Sequence, residues 1–171
     1  GTHRHHVKDG RPVKLMAKLG TFSEYATVAE ASLIKVEKDL PLDCVALVSC
    51  GVATGWGSAT NRADTQPGDT VVVVGIGGIG INAVQGARMA GAKRIIAIDP
   101  VEFKREKAME FGATHTYASM AEAIPHLMEL SWGEMADRVI MTPGVLHGDM
   151  MGEAMTMVGK GGTCVVTAIS P

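Results

Sequence analysis

Residues 70–99 read TVVVVGIGGIGINAVQGARMAGAKRIIAID. A continuous β-branched run, Val71 to Val74, enters a glycine cluster in which Gly75, Gly77 and Gly80 keep the spacing G-x-G-x-x-G, with Gly78 as an extra glycine. A small-residue stretch follows, with Ala83, Gly86, Ala87 and Ala90 able to lie close to a sheet. A second apolar run, Ile95 to Ile98, ends on Asp99, 19 residues after Gly80. The order strand, turn, helix, strand has the length that a parallel βαβ crossover needs. Each part has a physical task. Gly75 permits the sharp turn out of the strand, Gly77 lets the backbone approach a pyrophosphate, and Gly80 lets helix and strand pack closely. The helix N-terminus then offers unpaired N–H groups and a positive dipole end to the phosphates. Asp99 can accept hydrogen bonds from both hydroxyls of a ribose. A lone glycine motif carries little weight. Here it follows a strand, opens a helix and has its acid at the expected distance, which is the context of a dinucleotide-binding unit.

The pattern continues on both sides of this unit. Downstream, Phe103 to Phe111 reads as a helix ended by Gly112, and Thr114 to Tyr117 as a short strand. Met120 to Leu130 is helical, with Pro125 expected to kink or break it. Asp137 to Thr142 is a strand, Asp149 to Val158 a helix stopped by Gly159, Gly161 and Gly162, and Thr163 to Ile169 a last strand. Upstream, Leu42 to Ala63 reads as a helical stretch interrupted by Gly51, Gly55 and Gly57, and Gln66-Pro67-Gly68-Asp69 as the turn before the first sheet strand. Thr21 to Ala29 and Ser32 to Val36 are strand candidates. Strands alternating with helices imply an α/β fold, a doubly wound parallel sheet of Rossmann type with helices on both faces. Five strands are visible where the usual dinucleotide domain has six, so the sheet is expected to be incomplete at its C-terminal edge.

Composition bounds the rest. The 171 residues are 46% hydrophobic and 20% charged, enough for one globular core, and the formal net charge of −2 gives no basic surface for nucleic acid. Three cysteines without regular spacing argue against a disulfide framework and for a reduced, cytoplasmic setting. No signal peptide is visible and no apolar run is expected to reach transmembrane length, so no membrane partner is expected. His3, His5 and His6 cluster beside Arg4 and Lys8, but no cysteine or acidic set accompanies them, so a solvated loop is favoured over a metal tract.

The segment LVSCGVATGWGSA, Leu47 to Ala59, followed by PGDTVVVVGIGGIG, resembles zinc-dependent alcohol dehydrogenases of the medium-chain dehydrogenase family. The resemblance runs from Gly20-Thr21-Phe22-Ser23-Glu24-Tyr25 to Ala168, and AIDPVEFKREKAMEFGAT is especially similar to the actinobacterial nitrosodimethylaniline-dependent alcohol dehydrogenases. It implies NAD and zinc as cofactors and a small-molecule alcohol or aldehyde as substrate. A homo-oligomer is expected of the full protein. Residue by residue, it implies that Cys50 is a ligand of the catalytic zinc and that Thr54 lies beside the nicotinamide. Gly75, Gly77, Gly78, Ile79 and Gly80 match the phosphate turn. Asp99 matches the acid on the adenosine ribose and Lys104 a lysine on the same ribose. Thr167, Ala168 and Ile169 match the strand end that lines the nicotinamide. Ser49 stands where the family has a glycine. The subgroup implies a tightly held, reusable NAD.

The other zinc ligands, the proton relay and the structural zinc cysteines of the family have no counterpart in this sequence. The chain is therefore expected to be a fragment. Residues 1–41 would be a β-rich remnant of a GroES-like catalytic domain and residues 42–171 the Rossmann domain with its leading helix. Alone, it is expected to bind no catalytic zinc and to turn over no alcohol. The alternatives are a zinc-free enzyme similar to quinone reductases, or a non-catalytic NAD-binding module. Cys44 and Cys164 are read as small core residues, His115 and His147 as surface or core residues, and the methionines as packing.

Overall fold

A computed structural model describes residues 6–13 and 24–169. The chain divides into two compact units, Gly1–Leu40 and Pro41–Pro171.

In the first unit the described residues form little regular structure. His6 and Pro12 make an isolated antiparallel bridge closed by an Asp9–Arg11 ion pair, and Glu30–Ser32 is a single 3₁₀ turn. The expected strands over Thr21 to Ala29 and Ser32 to Val36 are not observed among the described residues; Thr21, Phe22 and Ser23 lie outside them. Strand-like residues express a fit to a pleated, half-buried surface. Here Leu33 and Ile34 are exposed, and among the described residues no strand pairs with them.

The second unit holds one five-stranded sheet: β1 (Thr70–Val74), β2 (Arg94–Ile98), β3 (His115–Tyr117), β4 (Ala136–Met141) and β5 (Val158–Val166). All neighbours are parallel, in the order β3-β2-β1-β4-β5. The connecting helices are α3 (Gly78–Met89), α4 (Glu102–Phe111), α5 (Met120–Leu130) and α6 (Gly148–Met157). The central strands are buried on both faces, which explains their unbroken Val/Ile runs. Side chains alternate between the faces. Val71, Val73, Ile95, Ala97 and Ile140 pack with Ala83, Val84 and Ala87 of α3 and Ala108 of α4. Val72, Val74, Ile96, Ile98, Val139 and Met141 pack with Leu127 of α5 and Met157 of α6.

Residues 42–62 form one helical run in which α1 (Leu42–Leu47) and α2 (Ala53–Gly57) alternate with the π-helical turns Val48–Val52 and Ser58–Arg62. The glycines do not interrupt it. Gly55 instead permits contact: a Cβ there would collide with the carbonyl of Ile79 and with Asn82 on α3. At 21 residues and mean hydropathy 1.3, Leu42–Arg62 is long and apolar enough to cross a membrane by length and composition, contrary to the expectation that no stretch would be. Its second half is nonetheless packed on the sheet domain, with Ala59 and Ala63 in the core.

Three further expectations are corrected. Pro125 does not break α5, which continues through it to Leu130, closed at its start by Ser119 Oγ accepting from Glu122 N–H at 3.2 Å. The glycines after α6 are not a stop before the last strand but lie inside β5. There the register against β4 shifts between Ala136 and Arg138, and a Cβ on Gly159 or Gly162 would strike the carbonyls of Glu134 or Ala136. Cys44 is exposed rather than in the core, on a part of the leading helix that buries no side chain, whereas Cys164 is half-buried in β5 opposite Val139. Burial pushes the Cys164 thiol above its ordinary value.

Candidate functional site

The chain runs outward from β1 to β2 and β3, then returns to place β4 on the other side of β1. In such sheets ligands bind outside the carboxyl ends of the strands where the order reverses. A cleft of about 680 Å³ lies there.

Its floor is the glycine turn. Gly75 has φ +88° and stands against Pro143, so an L side chain would be both strained and blocked. A Cβ on Gly80 would strike the carbonyl oxygen of Gly75 and the hydroxyl of Thr142. Gly77 and Gly78 differ: a Cβ on either would meet nothing within 4 Å. Both line the cleft, together with Ile79. No side chain caps α3, so its first N–H groups have no partner in the helix or from a cap.

Asp99 directly follows β2 and is 4% exposed. Its carboxylate accepts from Ile76 N–H at 2.8 Å and from Val101 N–H at 2.9 Å, and pairs with Lys104 Nζ at 3.3 Å. It therefore ties the glycine turn to the start of α4. Arg105 does not face the carboxylate: its Nη1 donates to the carbonyls of Asp99 at 2.8 Å and Pro100 at 2.9 Å, clamping the same turn from behind.

Across the switch point, Thr167, Ala168 and Ile169 line the cleft beyond β5. Thr167 N–H donates to Met141 C=O at 2.8 Å, and Leu146 N–H to Ile169 C=O at 2.9 Å, which pins this strand end.

The structure thus gathers Gly75, Gly77, Gly78, Ile79, Asp99, Lys104, Thr167, Ala168 and Ile169 around one cleft, with Gly80 directly behind the turn. Cys50 and Thr54 do not line it. They lie on the leading helix, where a Cβ on Gly51 would sit 3.6 Å from the Gly78 carbonyl, so the segment is beside the turn. Cys50 is exposed, on a π-helical turn, a feature frequent at functional sites. Among the described residues no three His, Cys, Asp or Glu side chains come together as a metal site. A catalytic zinc takes three protein ligands, so these residues do not by themselves fit one.

Two residues escaped the sequence reading. Thr142 Oγ1 lies 2.6 Å from the Gly75 carbonyl and holds the turn closed. Its position just past the carboxyl end of β4 was the available signal. Ser58 is buried and contacts both Thr54 and Thr167. It stands one helical turn after Thr54, a spacing that puts both on one face.

A doubly wound parallel sheet with an open glycine turn at the switch point and an acid at the end of the second strand defines a Rossmann-type domain. A family profile described as zinc-binding dehydrogenase matches residues 78–171, and the chain belongs to that family. It is 51% identical over 170 residues to the NDMA-dependent alcohol dehydrogenase of Amycolatopsis methanolica, covering 99% of this chain and 46% of that protein. It is 46% identical over 170 residues to a putative alcohol dehydrogenase D of Mycobacterium tuberculosis, again over 99% of this chain and 46% of that protein. The chain therefore spans about half the length of the curated relatives it matches. Among solved structures, an alcohol dehydrogenase zinc-binding domain protein from Burkholderia ambifaria superposes with a TM-score of 0.82 at 29% identity, over 96% of this chain and 46% of that one. Benzyl alcohol dehydrogenase from Acinetobacter calcoaceticus gives 0.81 at 27% identity, over 90% and 41%. NAD and zinc are typical of this family.

Proposed function

We propose that this chain is the NAD-binding part of a cytoplasmic oxidoreductase that interconverts an alcohol with an aldehyde or ketone, working as a homo-oligomer with zinc. Residues 1–41 would belong to its catalytic, GroES-like part and residues 42–171 to its Rossmann domain. Cys50 would supply one zinc ligand. Its place beside the glycine turn, and the alcohol dehydrogenases among the relatives, support that reading.

One observation carries the cofactor assignment. Gly77 and Gly78 lack side chains although no described residue would obstruct one, and both face the cleft at an uncapped helix N-terminus. A pyrophosphate fits that cradle by charge and by close approach. When bound, NAD supplies the acceptor for the hydride; the protein binds and orients it.

Asp99 would hold the adenosine ribose. A carboxylate offers about four acceptor positions, and three are already used. Two ribose hydroxyls therefore need Lys104 Nζ to give way and turn to the ribose itself, which its half-exposed side chain permits. The 2′-phosphate of NADP would meet the same fixed carboxylate. Like charges 4 Å apart repel by about 4 kcal/mol at an effective dielectric of 20. A third of that is about tenfold in affinity. Arg105 is kept from swinging onto the phosphate, because its Nη1 is held by the two carbonyls. Calorimetric titration of the full chain with both cofactors tests this: NAD is expected to bind about tenfold more tightly. Equal or tighter binding of NADP would overturn the role given to Asp99.

A further inference from the structure

We infer that Ser58 is a positioning residue that turns Thr167 into a one-way hydrogen-bond acceptor for the carboxamide of the nicotinamide. The inference rests on the NAD reading above and adds a residue and a direction to it.

Ser58 is 4% exposed, on the π-helical turn that ends the leading helix. Its Oγ lies 2.7 Å from the carbonyl oxygen of Thr54 and 2.8 Å from the hydroxyl of Thr167, 109 residues away in sequence. A carbonyl has no proton to give, and a serine hydroxyl has one. If Ser58 donated to Thr167, two oxygens would stand 2.7 Å apart with no proton between them. Only one arrangement puts a proton in both contacts: Ser58 donates to the Thr54 carbonyl, and Thr167 donates to Ser58. Back-bonding of a serine to the carbonyl four residues earlier is a common helix geometry.

Thr167 has then spent its only side-chain proton, and its backbone N–H is held by the Met141 carbonyl at 2.8 Å. What it can offer the cleft through its side chain is lone pairs, so it selects a donor. Topology says which part of the ligand arrives there. Asp99 fixes the adenosine side at the end of β2, and the pyrophosphate cradle sits at the end of β1. The other half of the dinucleotide must run the opposite way, over β4 toward β5, two strand spacings or roughly 10 Å from β1. Thr167 stands at that end. The carboxamide N–H₂ of the nicotinamide is a donor suited to an acceptor-only hydroxyl. The same pair also links the leading helix, which carries Thr54 and Cys50, to the cofactor strand.

The experiment uses the full chain and three probes: NAD, its 3-acetylpyridine analogue (a methyl in place of the amide NH₂) and ADP-ribose, which lacks the ring. Thr167→Val, which keeps the shape, is expected to weaken NAD about fivefold to tenfold and to leave the analogue and ADP-ribose unchanged. Thr167→Ser is expected to restore NAD binding. Ser58→Ala releases the Thr167 proton to the cleft, so NAD is expected to weaken while the analogue, whose only polar atom there is an acceptor, tightens. A destabilised but otherwise normal site cannot produce those opposite shifts. Equal losses for NAD and the analogue in Thr167→Val, with ADP-ribose binding intact, would overturn the relay and leave the NAD reading standing. An equal loss for all three probes would place Thr167 on the ribose they share instead and also overturn it. Failure of the unsubstituted chain to bind any of the three would overturn the NAD reading, and this inference with it.

Discussion

Gly75 and Gly80 are walled in by their own chain, while Gly77 and Gly78 in the same turn face open space. The first pair is explained by the fold alone: one needs φ +88°, and the other lets α3 lie against the end of β1. The second pair has no internal cause. The backbone of Gly77, at φ −96° and ψ −161°, is open to any residue, and a side chain there would touch nothing. On the cleft and at an uncapped helix N-terminus, a missing side chain that the fold does not require is what the close approach of a phosphate needs. The same division runs through the rest of the site. Arg105 and Thr142 serve the turn, Lys104 faces the cleft, and Asp99 does both.

Substitution of the walled-in pair has the largest expected effect. Gly80→Ala places a Cβ inside contact distance of the Gly75 carbonyl, which is backbone and cannot swing away. A loss of roughly 3 kcal/mol of stability is expected, read by denaturant unfolding. If that variant unfolds like the parent, the distinction between the two pairs is lost.

Asp99 sharpens the comparison because it belongs to both classes. Asp99→Asn keeps one acceptor oxygen but turns an NH₂ toward either Ile76 N–H or Val101 N–H. About 1–3 kcal/mol of stability is expected to go with the lost acceptor. NAD affinity should fall at the same time and the gap to NADP should narrow, by up to about tenfold. A change in cofactor preference with no loss of stability would mean that the two backbone contacts carry no weight.

The smallest expected effect lies at the far edge of the sheet. His115 in β3 is held below its ordinary pKa, first by burial and then by the nearby Arg94 cation. The unfolded chain therefore binds this proton more readily than the folded one. The stability linked to it is complete above about pH 6.5 and is lost as the pH falls through the lowered folded value. His115→Gln should flatten that slope in urea unfolding between pH 5 and 7 while leaving NAD affinity unchanged, because His115 lies outside the cleft. A parallel change in NAD affinity would couple the edge to the site.

What was legible in the sequence follows the same physics. Val71 to Val74 and Ile95 to Ile98 are buried on both faces, so their apolar runs announce β1 and β2. The glycine spacing and Asp99 announce the turn and its acid because both are local. Ser58 and Thr167 were not legible as a pair: their contact spans 109 residues and depends on how the leading helix lies against the sheet. The glycines in β5 misled because a bulge uses them as a loop would. Leu33 and Ile34 misled because a strand-like residue forms a strand only when a neighbour supplies the ladder.

The most direct measurement is the NAD dissociation constant of Gly77→Ala, taken together with its unfolding free energy. Stability should stay within about 0.5 kcal/mol of the parent, since the new methyl meets nothing. Affinity should fall by at least about tenfold, since the methyl occupies the space a pyrophosphate must enter. Unchanged NAD affinity, or a loss of stability that accounts for the loss of binding, would contradict the assignment of this turn to a dinucleotide.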